Sequence, residues 1–214
     1  MNDETSKYYN NNAQEYSEAT KTLKIDHLYE RFLKDLPENG KILDIGCGSG
    51  RDSLHFKNKG YSITAIEPSE ELANLASTYI KQEVLCLKAQ NIDFNKTFDG
   101  VWCMASLLHL KPEELKETLV KISKSLVENG KFYASFKVGE GEEIDNKGRY
   151  FSYMTAERFK AITTELNIFK NIQFSNTNDE MKRDDTQWLN ITANNDLEKL
   201  ENSKSNKITK KIRP

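Results

Sequence analysis

Residues 42–53, Ile-Leu-Asp-Ile-Gly-Cys-Gly-Ser-Gly-Arg-Asp-Ser, hold the residue types and spacing from which a chemistry can be argued. An apolar strand expected over Lys41–Ile45 runs into Gly46, Gly48 and Gly50, and a helix-like segment follows. Glycine allows tight positive-φ turns and lets a ligand lie against bare backbone. The helix behind the turn points its unpaired N–H groups into the same crevice. A nucleoside cofactor suits this place at the carboxyl end of a parallel strand. The dinucleotide fingerprint GxGxxG requires a third glycine where this chain has Arg51. Asp44, before the first glycine, would attract an ammonium, directly or through water, and would be a poor neighbour for a pyrophosphate. The next expected strand, Tyr61–Ile66, ends in Glu67, whose carboxylate can accept both hydroxyls of a ribose. The pocket so read takes a ribose and an amino-acid ammonium, without a diphosphate.

S-adenosyl-L-methionine has those parts. The segments ILDIGCGSGRDS, ITAIEPSEELANLA, FDGVWCMASLLHL and LVENGKFYASFK, in that order, resemble the class I S-adenosylmethionine-dependent methyltransferases over roughly residues 8 to 190. GRYF (148–151) and TQWLN (186–190) look like small stand-alone bacterial members grouped with tellurite-resistance-type enzymes. The resemblance implies an α/β fold with a doubly wound, mostly parallel seven-stranded sheet, ordered 3-2-1-4-5-7-6 with strand 7 antiparallel. It also implies an N-terminal helical lid from which Tyr8, Tyr16 or Thr20 touches the cofactor. Asp44, Gly46, Cys47, Gly48, Gly50, Glu67, Pro68, Ser106 and Leu107 fall at cofactor positions. Many members use an Asp after strand three to hold the adenine amine. Here that loop offers Gln90, Asn91 or a backbone carbonyl, with Ile92 placed to pack on the base.

At 214 residues the chain is long enough for one α/β domain with a good core and short for two. Its 31 basic and 33 acidic residues leave a formal charge of −2, so no global basic field recruits nucleic acid. No apolar run approaches the ~20 residues of a membrane span. Met1-Asn2-Asp3-Glu4 lacks the basic start and apolar stretch of a signal peptide. Cys47, Cys86 and Cys103 form no CxxC pair, which suits reduced thiols in the cytoplasm. No metal-ligand spacing is present.

The periodicities place the remaining elements. A helix is expected around Glu4–Ser17, and a firmer one is marked by Ile25, Leu28, Phe32 and Leu36. Helices are expected over Gly50–Asn58, from Ser69, from Pro112 and from Thr155, and strands over Glu83–Leu87, Phe98–Met104, Lys131–Val138, Ile168–Ser175 and Gln187–Ala193. Asn129-Gly130 reads as a helix stop, and 139–152 as a charged insertion. The expected organisation is a helical cap over 1–40, a cofactor-binding domain over 41–194, and a tail over 202–214. That tail has five basic residues and no acid and is expected to be frayed or disordered.

A methyl on a sulfonium is already activated, so a protein needs chiefly to align the nucleophile and exclude water. His109, at the mouth of the crevice, is either a general base or a packed histidine. His27 and His55 read as structural or solvated. Arg149, Tyr150, Arg183 and Trp188 either border an acceptor site suited to an anion or serve surface ion pairs, and Arg51 and Asp52 either order the turn or reach the acceptor. The [ND]-P-P-[YF] motif of amino-group methyltransferases is replaced by Cys103-Met104-Ala105-Ser106, and no cysteine follows a proline as in cytosine-C5 enzymes. The expected activity is methyl transfer from S-adenosyl-L-methionine, leaving S-adenosyl-L-homocysteine, to a small-molecule O, N or chalcogen acceptor by a monomer or homodimer. The alternatives are an RNA methyltransferase using the basic tail and a cofactor-binding protein without turnover.

Overall fold

The computed structural model describes residues 3–181, 183 and 186–200. The tail over 202–214 lies outside the described residues. Three helices come first, α1 (Asp3–Asn11), α2 (Ala13–Thr20) and α3 (Asp26–Leu33). Then follow β1 (Lys41–Ile45), α4 (Arg51–Asn58), β2 (Ser62–Glu67), α5 (Glu70–Ile80), β3 (Val84–Cys86), β4 (Phe98–Cys103) and α6 (Pro112–Ser125). The chain continues through β5 (Leu126–Lys137), a hairpin of β6 (Glu142–Ile144) and β7 (Tyr150–Ser152), α7 (Ala156–Leu166), β8 (Phe169–Asn178) and β9 (Gln187–Asn195).

Seven strands form one sheet in the order β3-β2-β1-β4-β5-β9-β8. Counted without the hairpin this is 3-2-1-4-5-7-6, as the resemblance implied. The pairs β2–β3, β1–β2, β1–β4 and β4–β5 are parallel, and β9 runs antiparallel to both β5 and β8. Each face of the sheet has its own core. On one, Leu28, Phe32, Phe56, Ala76 and Ile80 from α3, α4 and α5 close over Ile42, Trp102 and Tyr133. On the other, Leu115, Leu119, Ile122, Phe159 and Ile162 from α6 and α7 close over Leu43, Val101, Phe132 and Phe136. The central strands are buried on both faces, as parallel strands under helical layers must be.

Local chemistry fixes the helix ends. The Ser69 hydroxyl accepts from Leu72 N–H and the Thr155 hydroxyl from Arg158 N–H, each satisfying an orphan donor of a first turn. Pro112 opens α6, and Glu114 reaches back to the Lys111 N–H.

Beyond shifts of one to three residues at strand ends, the structure departs from the expected boundaries in three places. The single N-terminal helix is two, because Asn12 leaves helical geometry (φ −117°, ψ 20°) and its side-chain amide donates to Tyr8 C=O. Asn129-Gly130 is not a helix stop. It lies inside β5, with Asn129 at φ 63°, where the register with β4 shifts from Phe98↔Leu126 to Gly100↔Lys131. The extra residues are absorbed as a bulge that costs no strand. The 139–152 insertion contains the β6–β7 hairpin.

Phe32 is fully buried, with its ring centroid 5.0 Å from that of Trp102 and 5.5 Å from that of Phe56. It joins α3 to the sheet. Phe32→Ala should lower unfolding free energy by about 3–5 kcal/mol, read as a drop in the urea midpoint at unchanged slope.

Candidate active site

The site lies at the carboxyl ends of β1, β2, β4 and β5. Residues 46–50 turn from β1 into α4 with Gly48 at φ 54° and Gly50 at φ 80°. A Cβ on Gly48 would stand 3.2 Å from the Tyr16 ring, and one on Gly50 would stand 2.9 Å from Ile80 Cγ2. Gly48 thus lets α2 lie on the turn, and Gly50 lets α5 pack behind it. Gly46 N–H and Cys47 N–H both donate to Ile66 C=O, stitching the turn to β2.

Glu67 closes this frame. One carboxylate oxygen accepts from Gly48 N–H and the other from Ser69 N–H, both at 3.0 Å. Burial pushes its pKa up to about 7, and the Ser69 and Gly48 donors oppose the rise. The Ser69 hydroxyl and the Glu71 N–H both donate to the side-chain oxygen of Asn10 on α1, so the N-terminal helices are tied to the start of α5.

A second buried acid holds the other side. Asp52 accepts from Arg51 Nε at 2.5 Å, Tyr29 Oη at 2.6 Å and Trp102 Nε1 at 2.8 Å. Arg51 also donates to Tyr29 Oη and to Thr20 C=O. Burial alone would raise the Asp52 pKa; Arg51 and the Tyr29 and Trp102 donors outweigh it and hold the carboxyl below its usual range. Burial and the nearby Asp52 charge instead push Asp44 up, and its contact is the Ser53 hydroxyl at 2.6 Å.

Two cavities open here. The smaller is lined by Glu67, Pro68, Leu72, Ser106, Ala105 and His109 together with Gly46 and Gly48. The larger, about 300 Å³, reaches from Cys47, Ser49, Arg51 and Asp52 past Met104 and Leu108 to Lys137, Arg149, Phe151, Arg183 and Trp188. Tyr9 and Tyr16 line both. Their rings meet edge to face at 5.1 Å, and burial raises both hydroxyl pKa values. Tyr9 Oη lies 3.0 Å from His109 Nε2, and His109 Nδ1 lies 2.7 Å from Tyr150 C=O. A carbonyl only accepts, so Nδ1 carries the proton and Nε2 accepts from Tyr9. Burial pushes the His109 pKa down to about 4, so the ring is neutral near pH 7.

The structure therefore brings together Gly46, Cys47, Gly48, Glu67, Pro68, Ser106, His109, Tyr16, Thr20, Arg51, Arg149, Arg183 and Trp188. Asp44, Gly50, Gln90, Asn91, Ile92, Leu107, Tyr8 and Tyr150 line neither cavity. Asp44 turns inward to Ser53, and Ile92 and Leu107 are core residues. Gln90 donates to Glu114 on α6, and its backbone carbonyl accepts from Lys121. Tyr8 packs edge-on to Tyr9 under the Arg149 guanidinium. Tyr150 contributes its backbone, donating N–H to Thr5 and accepting from His109. His27 is solvent-exposed and also lines the larger cavity, and His55 stacks on Tyr29 at 3.9 Å. Sequence reasoning left open what Asp52 does and passed over Lys137, Met104 and Asp179. A buried-acid signal existed for Asp52 only in its position one residue into a helix. Among the described residues no group of three or more His, Cys, Asp or Glu is set to hold a metal ion.

Residues 42–130 match the family model described as a methyltransferase domain. An uncharacterized methyltransferase of Staphylococcus carnosus is 28% identical over 140 residues, covering 64% of this chain and 67% of that protein. One of Alkaliphilus oremlandii is 26% identical over 157 residues, covering 68% and 73%. Among solved structures, the Burkholderia thailandensis 1,6-didemethyltoxoflavin-N1-methyltransferase, with 1,6-didemethyltoxoflavin and S-adenosylhomocysteine bound, superposes with a TM-score of 0.68. It is 19% identical, with 88% of this chain and 84% of that chain covered, a likeness of fold. Fold and domain together define a Rossmann-like methyltransferase. A methyltransferase domain over residues 42–130 within this fold supports an enzyme whose methyl donor is S-adenosyl-L-methionine.

Asp52→Ala should cost about 3–5 kcal/mol of stability, because it strands the buried Arg51 guanidinium. Asp52→Asn, which keeps an acceptor for Tyr29, should cost less. Chemical denaturation of both variants checks the order.

Proposed function

We propose that the smaller cavity and the glycine turn hold the donor, that the larger cavity holds a small-molecule acceptor, and that residues 1–40 act as a lid over the domain spanning 41–194. The observation that carries this reading is Glu67. Its carboxylate is fixed by Gly48 and Ser69 N–H at a strand tip and faces a cavity, with lone pairs left for a ribose diol. The fit is supported further by Ser106, whose buried hydroxyl has no partner and whose residue lines the same cavity. Gly46 and Gly48 offer bare backbone on the lining of that cavity.

S-adenosyl-L-methionine supplies a methyl group activated by its positive sulfur. The chain's residues then have to bind, align and exclude water. Tyr9 and Tyr16 stand between the cavities, where aromatic faces stabilise a cation. His109 in this reading is a positioning residue and not the base: both ring nitrogens are engaged, and its neutral form orients the Tyr9 hydroxyl. Asp44 acts at one remove, through Ser53 in the first turn of α4. The acceptor is a small molecule with an O, N or chalcogen nucleophile. The Burkholderia enzyme, solved with 1,6-didemethyltoxoflavin bound, supports a small acceptor. A cytoplasmic place belongs to the same proposal, with the three free cysteines in its favour.

Glu67→Gln should weaken S-adenosylhomocysteine binding by about 1.5–3 kcal/mol, the value of a charged hydrogen bond, measured by calorimetry. An unchanged affinity would remove Glu67 from the ribose. The pH dependence follows the same group. Its carboxyl ionises at about 7 in the fold, and the ionised form is the better acceptor. Wild-type affinity should therefore rise from about pH 6 to about pH 8 and then flatten, and the slope should vanish in Glu67→Gln. For His109, kcat/KM should show no inflection in the usual histidine range near ~6.5. An inflection there that His109→Gln abolishes would restore the ring as base.

A further inference from the structure

Among the described residues four lysine and arginine side chains line the larger cavity, Arg51, Lys137, Arg149 and Arg183. Three are matched by carboxylates. Arg51 pairs with Asp52 at 2.5 Å, Arg149 holds Asp145 through two nitrogens at 2.9 and 2.7 Å, and Arg183 holds Asp179 through two at 2.9 and 2.7 Å. Asp179 is fixed in turn by Trp188 Nε1 at 2.9 Å.

Lys137 is different. Among the described residues no carboxylate stands within ion-pair distance of its ammonium, which lies 3.9 Å from the centre of the Phe151 ring. The Arg149 guanidinium lies 5.1 Å from the same ring centre. Burial, then Arg149 and Arg183, push the Lys137 pKa down, with Glu143 and Asp145 opposing. Those two acids are engaged elsewhere: Glu143 accepts from the Tyr153 hydroxyl and Asp145 is clamped by Arg149. A half-buried ammonium beside two guanidiniums is unfavourable until an anion joins it.

Its place is also informative. Lys137 ends β5, next to β4 and the Met104–His109 segment, at the carboxyl edge where ligands of open α/β sheets bind. Met104 and Leu108 supply apolar surface in the same cavity. With three cations already neutralised, the unmatched charge is one, which suits a monoanion better than a doubly charged phosphate. Among the described residues the one further acid of the lining, Glu180, is solvent-exposed and screened.

We infer that Lys137 is the anion-binding residue of the acceptor site, and that the acceptor is a small molecule carrying a single carboxylate on an apolar framework. This rests on the reading of the larger cavity as the acceptor's. Lys137 anchors the carboxylate, and the Phe151 ring holds the ammonium in place.

The test titrates the full chain, with S-adenosylhomocysteine at saturation, against benzoate, its neutral isostere benzamide, and inorganic phosphate. Wild type, Lys137→Gln and Lys137→Arg are compared by ligand-observed NMR. Benzoate should bind wild type at least about tenfold more tightly than benzamide, as one charged hydrogen bond would give. Lys137→Gln should erase that difference, Lys137→Arg should restore most of it, and S-adenosylhomocysteine affinity should stay unchanged in both. Equal affinity of benzoate and benzamide for wild type, benzoate binding indifferent to Lys137→Gln, or a preference for phosphate would each overturn the assignment. The benzoate series is repeated without S-adenosylhomocysteine. Failure of that nucleoside to bind would count against the donor reading alone, while the benzoate comparison still decides the role of Lys137.

Discussion

A buried charge must find partners or cost several kcal/mol, and in this chain that constraint organises the active end of the sheet around Asp52. One carboxylate collects the indole of Trp102 from β4, the phenol of Tyr29 from α3 and the guanidinium of its neighbour Arg51 on α4. Arg51 extends the set to Thr20 at the end of α2. Four elements, α2, α3, α4 and β4, are thereby registered against the glycine turn. The stacked pair of Trp102 and Tyr133, 3.8 Å apart, then carries that registration across to β5.

Glu67 does comparable work on the other flank, but with backbone donors. The distinction matters for chemistry. Asp52 is saturated by side chains that hold it ionised, and so it is scaffold. Glu67 is held by only two N–H groups and is raised toward neutrality by burial. A group so poised still has acceptor capacity to give to a ligand. The two acids have similar burial and opposite pKa directions, and the difference lies in who donates to them.

The parts of the fold that could be read in the chain were those governed by local rules. Alternating apolar strands and amphipathic helices gave the α/β class, and Ser69, Pro112 and Thr155 marked real helix starts. The glycine turn and the acid at the tip of β2 were legible because only backbone geometry and strand order were needed to place them. What escaped was side-chain direction. Asp44 sits at a strand tip, yet the strand's pleat and the first turn of α4 aim it at Ser53. Ile92 had the right sequence place to pack on a base, but the core needed an apolar group there. Asn129-Gly130 has the composition of a helix stop, and β4 pairing on both sides of it draws it into a strand instead. Lys137 looked like any strand-end lysine until a hairpin residue and two distant arginines were seen beside it.

Tyr9 and Tyr16 form a party wall: each ring belongs to both chambers at once. Asn10, in the same short helix as Tyr9, fastens that wall to the start of α5. In a machine with two compartments and one shared door, loading the first is not independent of loading the second. On the proposed assignment of the two cavities, movement of that helix would set the traffic of both passengers, and the order in which they board would be a property of its nine residues.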